Sequence, residues 1–227
     1  MDKFDITFKA FGDQAILIEW PSRIDENILD DIINFLPYIL SKEKRVLNNY
    51  TSGYNSILLR YSSIIDTNQK GRQLLLLYMS IERKNELLPK SWHIPVCYDE
   101  NFGFDLSSFS NRGLSTKDVV KLHTSKPYRV FMIGFLPGFF YLGGLPHELH
   151  LDRKENPRPH IPKGSIAIGG AQTGIYPMDS PGGWQVIGRT PISIFDLSKK
   201  EPTQVRQGDY IQFYAIDKDE FQKLSSH

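Results

Sequence analysis

Residues 134–190 read GFLPGFFYLGGLPHELHLDRKENPRPHIPKGSIAIGGAQTGIYPMDSPGGWQVIGRT. This stretch holds eleven of the chain's seventeen glycines and seven of its fourteen prolines. Glycine admits positive φ and close backbone approach, whereas proline fixes φ and removes a hydrogen-bond donor. Their density excludes an α-helix. Phe135, Phe139, Phe140, Tyr141, Tyr176 and Trp184 make the stretch too apolar for a plain linker. What remains is a series of stiff loops and short strands that shape a surface. Long ordered loops on a scaffold are where binding and catalysis concentrate.

Short strands flank and punctuate it. Residues 92–98 (WHIPVCY) and 128–133 (YRVFMI) precede it or lead into it. Residues 165–168, 184–188, 192–195 and 210–214 follow the same pattern, the last fed by a turn at Gln207–Gly208–Asp209. Between the first two, residues 105–109 and 115–123 hold helical sequence, with Ser115 and Asp118 as a capping pair. Closely spaced strands with Gly/Pro turns indicate an all-β barrel or sandwich.

Upstream, Phe4, Ile6 and Phe8 alternate as in a half-buried strand, and residues 15–20 (AILIEW) form a second. Ile28, Leu29, Ile32, Ile33, Leu36, Ile39 and Leu40 follow helical spacing, capped by Asp25 or Ser22 and kinked or shortened at Pro37. Residues 45–50 and 56–61 pair across Ser52–Gly53, and residues 68–84 give a second helix. The order β-β-α-β-β-α indicates a two-layer α/β sandwich, whose sheet the strand at 92–98 is placed to extend. The fold class is therefore α+β, with domains at 1–90 and 91–227.

The 227 residues carry a formal net charge of +1, which gives no electrostatic case for nucleic acid or a membrane surface. One cysteine permits no internal disulfide and favours a reducing compartment. MDKFDITFKAFGDQ lacks the apolar core of a signal peptide, and the longest apolar run, residues 74–79, is far too short for a membrane span. A cytoplasmic location is the expectation.

Individual motifs each admit two readings. GGAQTG (169–174) follows a strand, but Ile175–Tyr176–Pro177 opens no helix and Gly-Lys-Ser/Thr is missing. It is either a plain turn or a rigid display of Gln172 and Thr173. His123 ends a helix, where the dipole favours a cation, or it serves a site. Arg158 and Lys163 flank stiffening prolines and are either solvated or held to grip an anion. Phe139, Phe140, Tyr141 and Leu142 are either core or an exposed patch for a partner. Cys97 sits in an apolar strand and reads as a small hydrophobe. No Gly-x-Ser-x-Gly elbow is present, and His147, His150 and His160 have no metal-ligand spacing, so no metal is expected.

Several segments resemble one family, known as allophanate hydrolase subunit 1, KipI-like or PxpB, the last being the B component of 5-oxoprolinase. They are FGDQAILI (11–18), NNYTSGYNSILLRY (48–61), HIPVCYDENFGFDL (93–106), GLSTKDVVKLHTSKPYRVFMIGFLPGFFYLGGL (113–145), PRPHIPKGSIAIGGAQTGIYPMDSPGGWQVIGRTP (157–191) and QGDYIQF (207–213). The resemblance implies an N-terminal α/β domain followed by a cyclophilin-like β-barrel. It implies a subunit of an ATP-dependent 5-oxoprolinase, a complex that hydrolyses 5-oxo-L-proline to L-glutamate. The partners would be companion subunits (PxpC-like and PxpA-like), and ATP, with Mg²⁺ as its counter-ion, would be shared with one of them. The isolated chain would then be inactive. A second branch inhibits autophosphorylation of a histidine kinase, which makes such a kinase the alternative partner. Peptidyl-prolyl isomerisation is the weakest alternative, since the Phe-His-Arg pattern of cyclophilin catalysis is missing.

Activating a lactam by phosphorylation needs cations and oriented donors more than a nucleophile. On that view Lys163 and Arg158 supply charge, Gln172 and Thr173 supply hydrogen bonds, and His123 carries a proton. Tyr176 and Trp184 wall the site, with Gly170 and Phe135 beside them. Phe139, Phe140 and Tyr141 line it or meet the partner.

Overall fold

The computed structural model describes residues 3–81 and 88–225. The chain divides into two compact units, one ending at Leu88 and the next beginning at Pro89.

The first unit is an antiparallel sheet of four strands: β1 (Thr7–Ala10), β2 (Ala15–Glu19), β3 (Leu47–Ser52) and β4 (Ser56–Tyr61), in the order β1-β2-β4-β3. Helices α1 (Glu26–Glu43) and α2 (Thr67–Ser80) cover one face. Alternate residues of β2 and β4 (Ile16, Ile18, Ile57, Leu59) meet Ile28, Ile32, Phe35 and Ile39 of α1 and Leu74 and Tyr78 of α2. The cap of α1 is Asp25, which accepts from the Asn27 amide. Pro37 does not shorten the helix, which continues past it to Glu43. Its buried stripe, with Ile28, Ile32, Phe35 and Ile39 fully or nearly inaccessible, outweighs the lost hydrogen bond. The second helix ends at Ser80, and residues 82–84 of its expected span lie outside the described residues.

The second unit is a closed barrel. Its strands are β5 (Ser91–Cys97), β6 (Tyr128–Ile133), β7 (Phe140–Gly143), β9 (Ser165–Gly169), β10 (Gln172–Ile175), β12 (Gln185–Arg189) and β13 (Tyr210–Ile216). They run β10-β7-β6-β13-β5-β12-β9, and β9 pairs back onto β10 to complete the ring. Only the β13–β5 pair is parallel. The strand at 92–98 thus belongs to the barrel and does not extend the first sheet. A ribbon of β8 (Arg158–Ile161) and β11 (Ser180–Gly182) stands apart.

Inside, Val130, Phe140, Leu142, Ile166, Ile168, Ile175, Ile187 and Phe213 form the core, joined by Val119 of α3 (Thr116–His123) and Phe109 of a 3₁₀ turn at Leu106–Arg112. Both halves of the capping box are made at α3, between Ser115 and Asp118. The expected strand at 192–195 is not formed. Pro191 supplies no donor to continue the ladder, and Ile192 and Ile194 instead pack on the barrel core as loop residues. A last helix, α4 (Lys218–Ser225), buries no residue. No helix among the described residues is long and apolar enough to cross a membrane.

Candidate functional site

Strands β9 and β12 turn Ile166, Ile168 and Ile187 inward and Ala167 and Val186 outward. The outward pair carries a second apolar cluster with Phe139, Ile161, Tyr176 and Trp184. Its centre is Phe139, which meets the rings of Tyr141 (4.8 Å), Tyr176 (5.0 Å) and Trp184 (5.4 Å) edge-on. Edge-to-face contacts of this kind add about 0.5–1.5 kcal/mol each beyond burial.

The glycines of GGAQTG explain why the indole lies where it does. A Cβ on Gly169 would stand 2.5 Å from Trp184 Cδ2, and one on Gly174 would stand 2.9 Å from Phe139 Cζ and 3.0 Å from Trp184 Cζ3. The motif is a β-hairpin whose bare backbone seats two aromatic rings. It opens no helix and offers no phosphate cradle.

These rings wall a cleft of ≈ 350 Å³, which Phe135, Arg153, Lys154, Pro181 and Gly183 complete. Phe135 is 64% exposed at the rim, 5.8 Å from Phe139, and is held at φ +70°. A bulky residue in that region stores of order 1–3 kcal/mol of strain, a feature that clusters at binding sites. Tyr176 is buried, and burial pushes its hydroxyl up to about 12 against the Trp184 amide that donates to it. Burial likewise raises Tyr141, with Arg153 opposing.

The segment 152–158 straps across the cleft. Gln185 Nε2 donates to Asp152 O (2.9 Å), and Lys154 N donates to Gly183 O (2.7 Å). Those two anchors flank Trp184, so the residue between them on the strap, Arg153, is set over the indole at 5.5 Å. Asp105, on the loop before the 3₁₀ turn, fixes the strap's far end. It accepts both Arg158 nitrogens (2.6 and 2.8 Å), Lys154 Nζ (2.8 Å) and the Val186 amide (2.8 Å). Burial raises this carboxyl, but Arg158, Lys154 and the Val186 amide outweigh it and hold it below the usual carboxylate range.

The expected site residues separate accordingly. Phe135, Phe139, Tyr141, Tyr176 and Trp184 come together. Arg158 does not offer a free guanidinium, because Asp105 takes it in a bidentate pair. Lys163 is away from the cleft lining, its backbone amide donating to Asp179. Gln172 is half-buried at the start of β10 and does not line the cleft either. Gly170, at φ +63°, belongs to the hairpin tip and bridges Leu151.

His123 and Thr173 do meet, but inside the barrel. Both are fully buried, with Nε2 of the ring 2.9 Å from Thr173 Oγ1 and Nδ1 2.7 Å from Tyr98 Oη. Phe213 stacks on the imidazole at 4.7 Å, and burial pushes it down to about 3. A neutral ring closed off in this way is neither a dipole-favoured cation nor a proton carrier. Phe140 also points inward and is inaccessible, and Phe139 is 1% exposed. Neither presents a patch to a partner or a kinase.

Arg153, Lys154 and Asp105 are the polar residues that sequence reasoning missed. No group of three or more His, Cys, Asp or Glu side chains placed to hold a metal occurs among the described residues. The cleft does not fit a nucleoside triphosphate on its own. Among the described residues, a single guanidinium without an ion pair lines it, and its glycines are filled in, Gly182 by the Tyr176 hydroxyl and Ile161 and Gly183 by the Lys154 carbonyl and Pro157.

Fold and cleft define an α+β protein with a closed barrel and an aromatic cleft on the barrel's outer wall. The chain belongs to the family of the carboxyltransferase domain, subdomains C and D, whose model matches residues 6–205. It is 48% identical over 135 residues to the B subunit of 5-oxoprolinase from Escherichia coli O157:H7, a match covering 58% of this chain and 62% of that one. To the B subunit of 5-oxoprolinase from Bacillus subtilis (strain 168) it is 45% identical over 129 residues, covering 56% and 54%. The chain thus spans little more than half the length of these relatives in the match. The crystal structure of TTHA0988 superposes with a TM-score of 0.76 at 30% identity, over 90% of this chain and 40% of that one.

Proposed function

We propose that this chain is a subunit of an ATP-dependent 5-oxoprolinase that opens 5-oxo-L-proline to L-glutamate and acts only with companion subunits. The observation that carries this reading is the 45–48% identity to the 5-oxoprolinase B subunits of several bacteria. The geometry is consistent with a partial site. The cleft has aromatic walls and a cation, as a small ring-shaped substrate with a carboxylate requires. It has no exposed nucleophile, and His123 is sealed in the core. Contacts to ATP and the activation of the lactam oxygen therefore fall to a companion chain. TTHA0988 supports such a division, since the part matched here fills only 40% of it.

The test is ATP-dependent release of glutamate from 5-oxo-L-proline, measured on the purified chain and on the chain reconstituted with its companion subunits. Turnover is expected only in the second. Turnover by the chain alone would overturn the division of labour, and none in the assembled complex would overturn the activity.

A further inference from the structure

The relatives' name specifies a small lactam but not where on the chain such a molecule sits. We propose that the outer-wall cleft holds the lactam ring against Trp184, with the ring's carboxylate on Arg153. This rests on the 5-oxoprolinase reading, and it assigns the binding half of the site to this chain.

Three observations carry it. The first is the placement of Arg153. Its neighbours on the strap are tied down on both sides of the indole, Asp152 by the Gln185 side chain and Lys154 by the Gly183 carbonyl. The guanidinium is thereby held over the ring, an arrangement in which it stays pre-oriented without being consumed. The second is the division of charge along the strap. Lys154 and Arg158 are both engaged by Asp105, whereas Arg153 forms no ion pair among the described residues. A cation left over beside an apolar wall is the complement of a ligand with one carboxylate and a hydrocarbon ring. The third is what the wall demands of the backbone. Gly169 and Gly174 forgo side chains so that Trp184 and Phe139 can lie on the backbone, Gly182 gives way to the Tyr176 hydroxyl, and Phe135 is held at positive φ. A Cβ on Gly182 would come within 2.4 Å of that hydroxyl oxygen.

A five-membered lactam carrying a carboxylate matches each part. Its methylene edge faces the rings and its carboxylate meets the guanidinium. The amide bond is then directed to the rim, where Phe135 and Arg153 are exposed and a companion chain can reach it. The bare five-membered ring of a proline side chain, which would make this a peptide-docking cleft, would leave Arg153 unused.

The experiment follows the three tryptophan indole N–H resonances of the full chain, without ATP or companions. Trp184 is assigned as the signal lost in Trp184→Phe. Titration with 5-oxo-L-proline is expected to shift that signal saturably and leave Trp20 and Trp92 in place. In Arg153→Gln, half-saturation rises about tenfold for 5-oxo-L-proline, the loss expected for one charge-assisted contact. With 2-pyrrolidinone, which has the ring and no carboxylate, the same substitution changes nothing. A saturable shift by L-proline-containing peptides with no response to 5-oxo-L-proline would overturn the proposal in favour of peptide docking. No shift at Trp184, or equal affinity in wild type and Arg153→Gln, would also overturn it. These outcomes are separable from the turnover assay. An active complex whose KM is unchanged by Arg153→Gln loses this site and keeps its function. Binding to the cleft with no turnover in the assembled complex keeps the site and loses the function.

Discussion

His123 stands out in the sequence by its place at a helix end, and the fold uses it as a core group. Its ring bridges Tyr98 and Thr173 across the barrel interior and stays neutral because burial disfavours the charged form. The folded ring titrates near 3 and the unfolded one near 6.5, so between those values the unfolded chain binds the extra proton. The stabilisation is complete above about pH 6.5 and is lost progressively as pH falls towards the folded value. From about pH 6.5 to 5 that loss amounts to about 2 kcal/mol. Denaturant midpoints of the wild type should therefore fall across this window, and those of His123→Gln should fall much less. An identical slope in both would show that another group is responsible. At this scale the aromatic walls were legible, because large rings in a Gly/Pro-rich stretch have few places to go. Arg153 was not legible. LDRKEN reads as a solvated loop, and nothing in its spacing reveals that Asp105, 53 residues before Arg158, pulls the strap down.

The hairpin of β9 and β10 is the element on which the site depends. Its sequence resembles a phosphate loop because glycines recur in both, for different reasons. Here two of them make room for rings and one makes the turn. Gly174→Ala should cost about 1–3 kcal/mol by overpacking, since the new methyl would stand 2.8 Å from the Phe140 carbonyl oxygen as well as against both rings. Gly170→Ala should cost about 1 kcal/mol for its positive φ alone, with open space around the methyl. Thermal denaturation checks the costs. The Trp184 indole resonance distinguishes the causes, because only Gly174→Ala should displace it. If both variants moved it equally, the seating argument would fail. Elements with clean alternation or helical spacing were read from sequence within a few residues. The strands β7, β8, β10 and β11 were not, because they lie in the stretch whose glycines and prolines carry the composition of turns. The last helix was missed for the opposite reason: it buries nothing, so it has no apolar stripe to read.

For the whole molecule, each compact unit has its own core, with no residue shared between them, and the second unit adds the smaller aromatic cluster on its barrel's outer wall. The α+β plan followed from strand and helix spacing, but that spacing left barrel and sandwich open and the barrel came from the family resemblance, since nothing local fixes which strands become neighbours. A fragment of residues 89–227 should fold on its own and keep the Trp184 response to 5-oxo-L-proline. Dispersed amide resonances and the same titration check this. A fragment without dispersed resonances would show that the barrel needs the first unit.

One seam of the barrel joins β5 to β13, whose parallel register runs from Ser91 opposite Tyr210 to Cys97 opposite Ile216. Asp209 adds the Lys90 amide, 119 residues away, and the Trp92 indole to the same junction. For a chain made from its N-terminus, this imposes an order in time. The first barrel strand leaves the ribosome with Ile94 and Val96 uncovered and waits for nearly the whole unit before its main partner is made. Such long-range pairing slows folding and keeps an adhesive strand exposed meanwhile. In the cell, the hazardous interval for this protein is its synthesis, and the segment a holding chaperone would need to guard is 91–97.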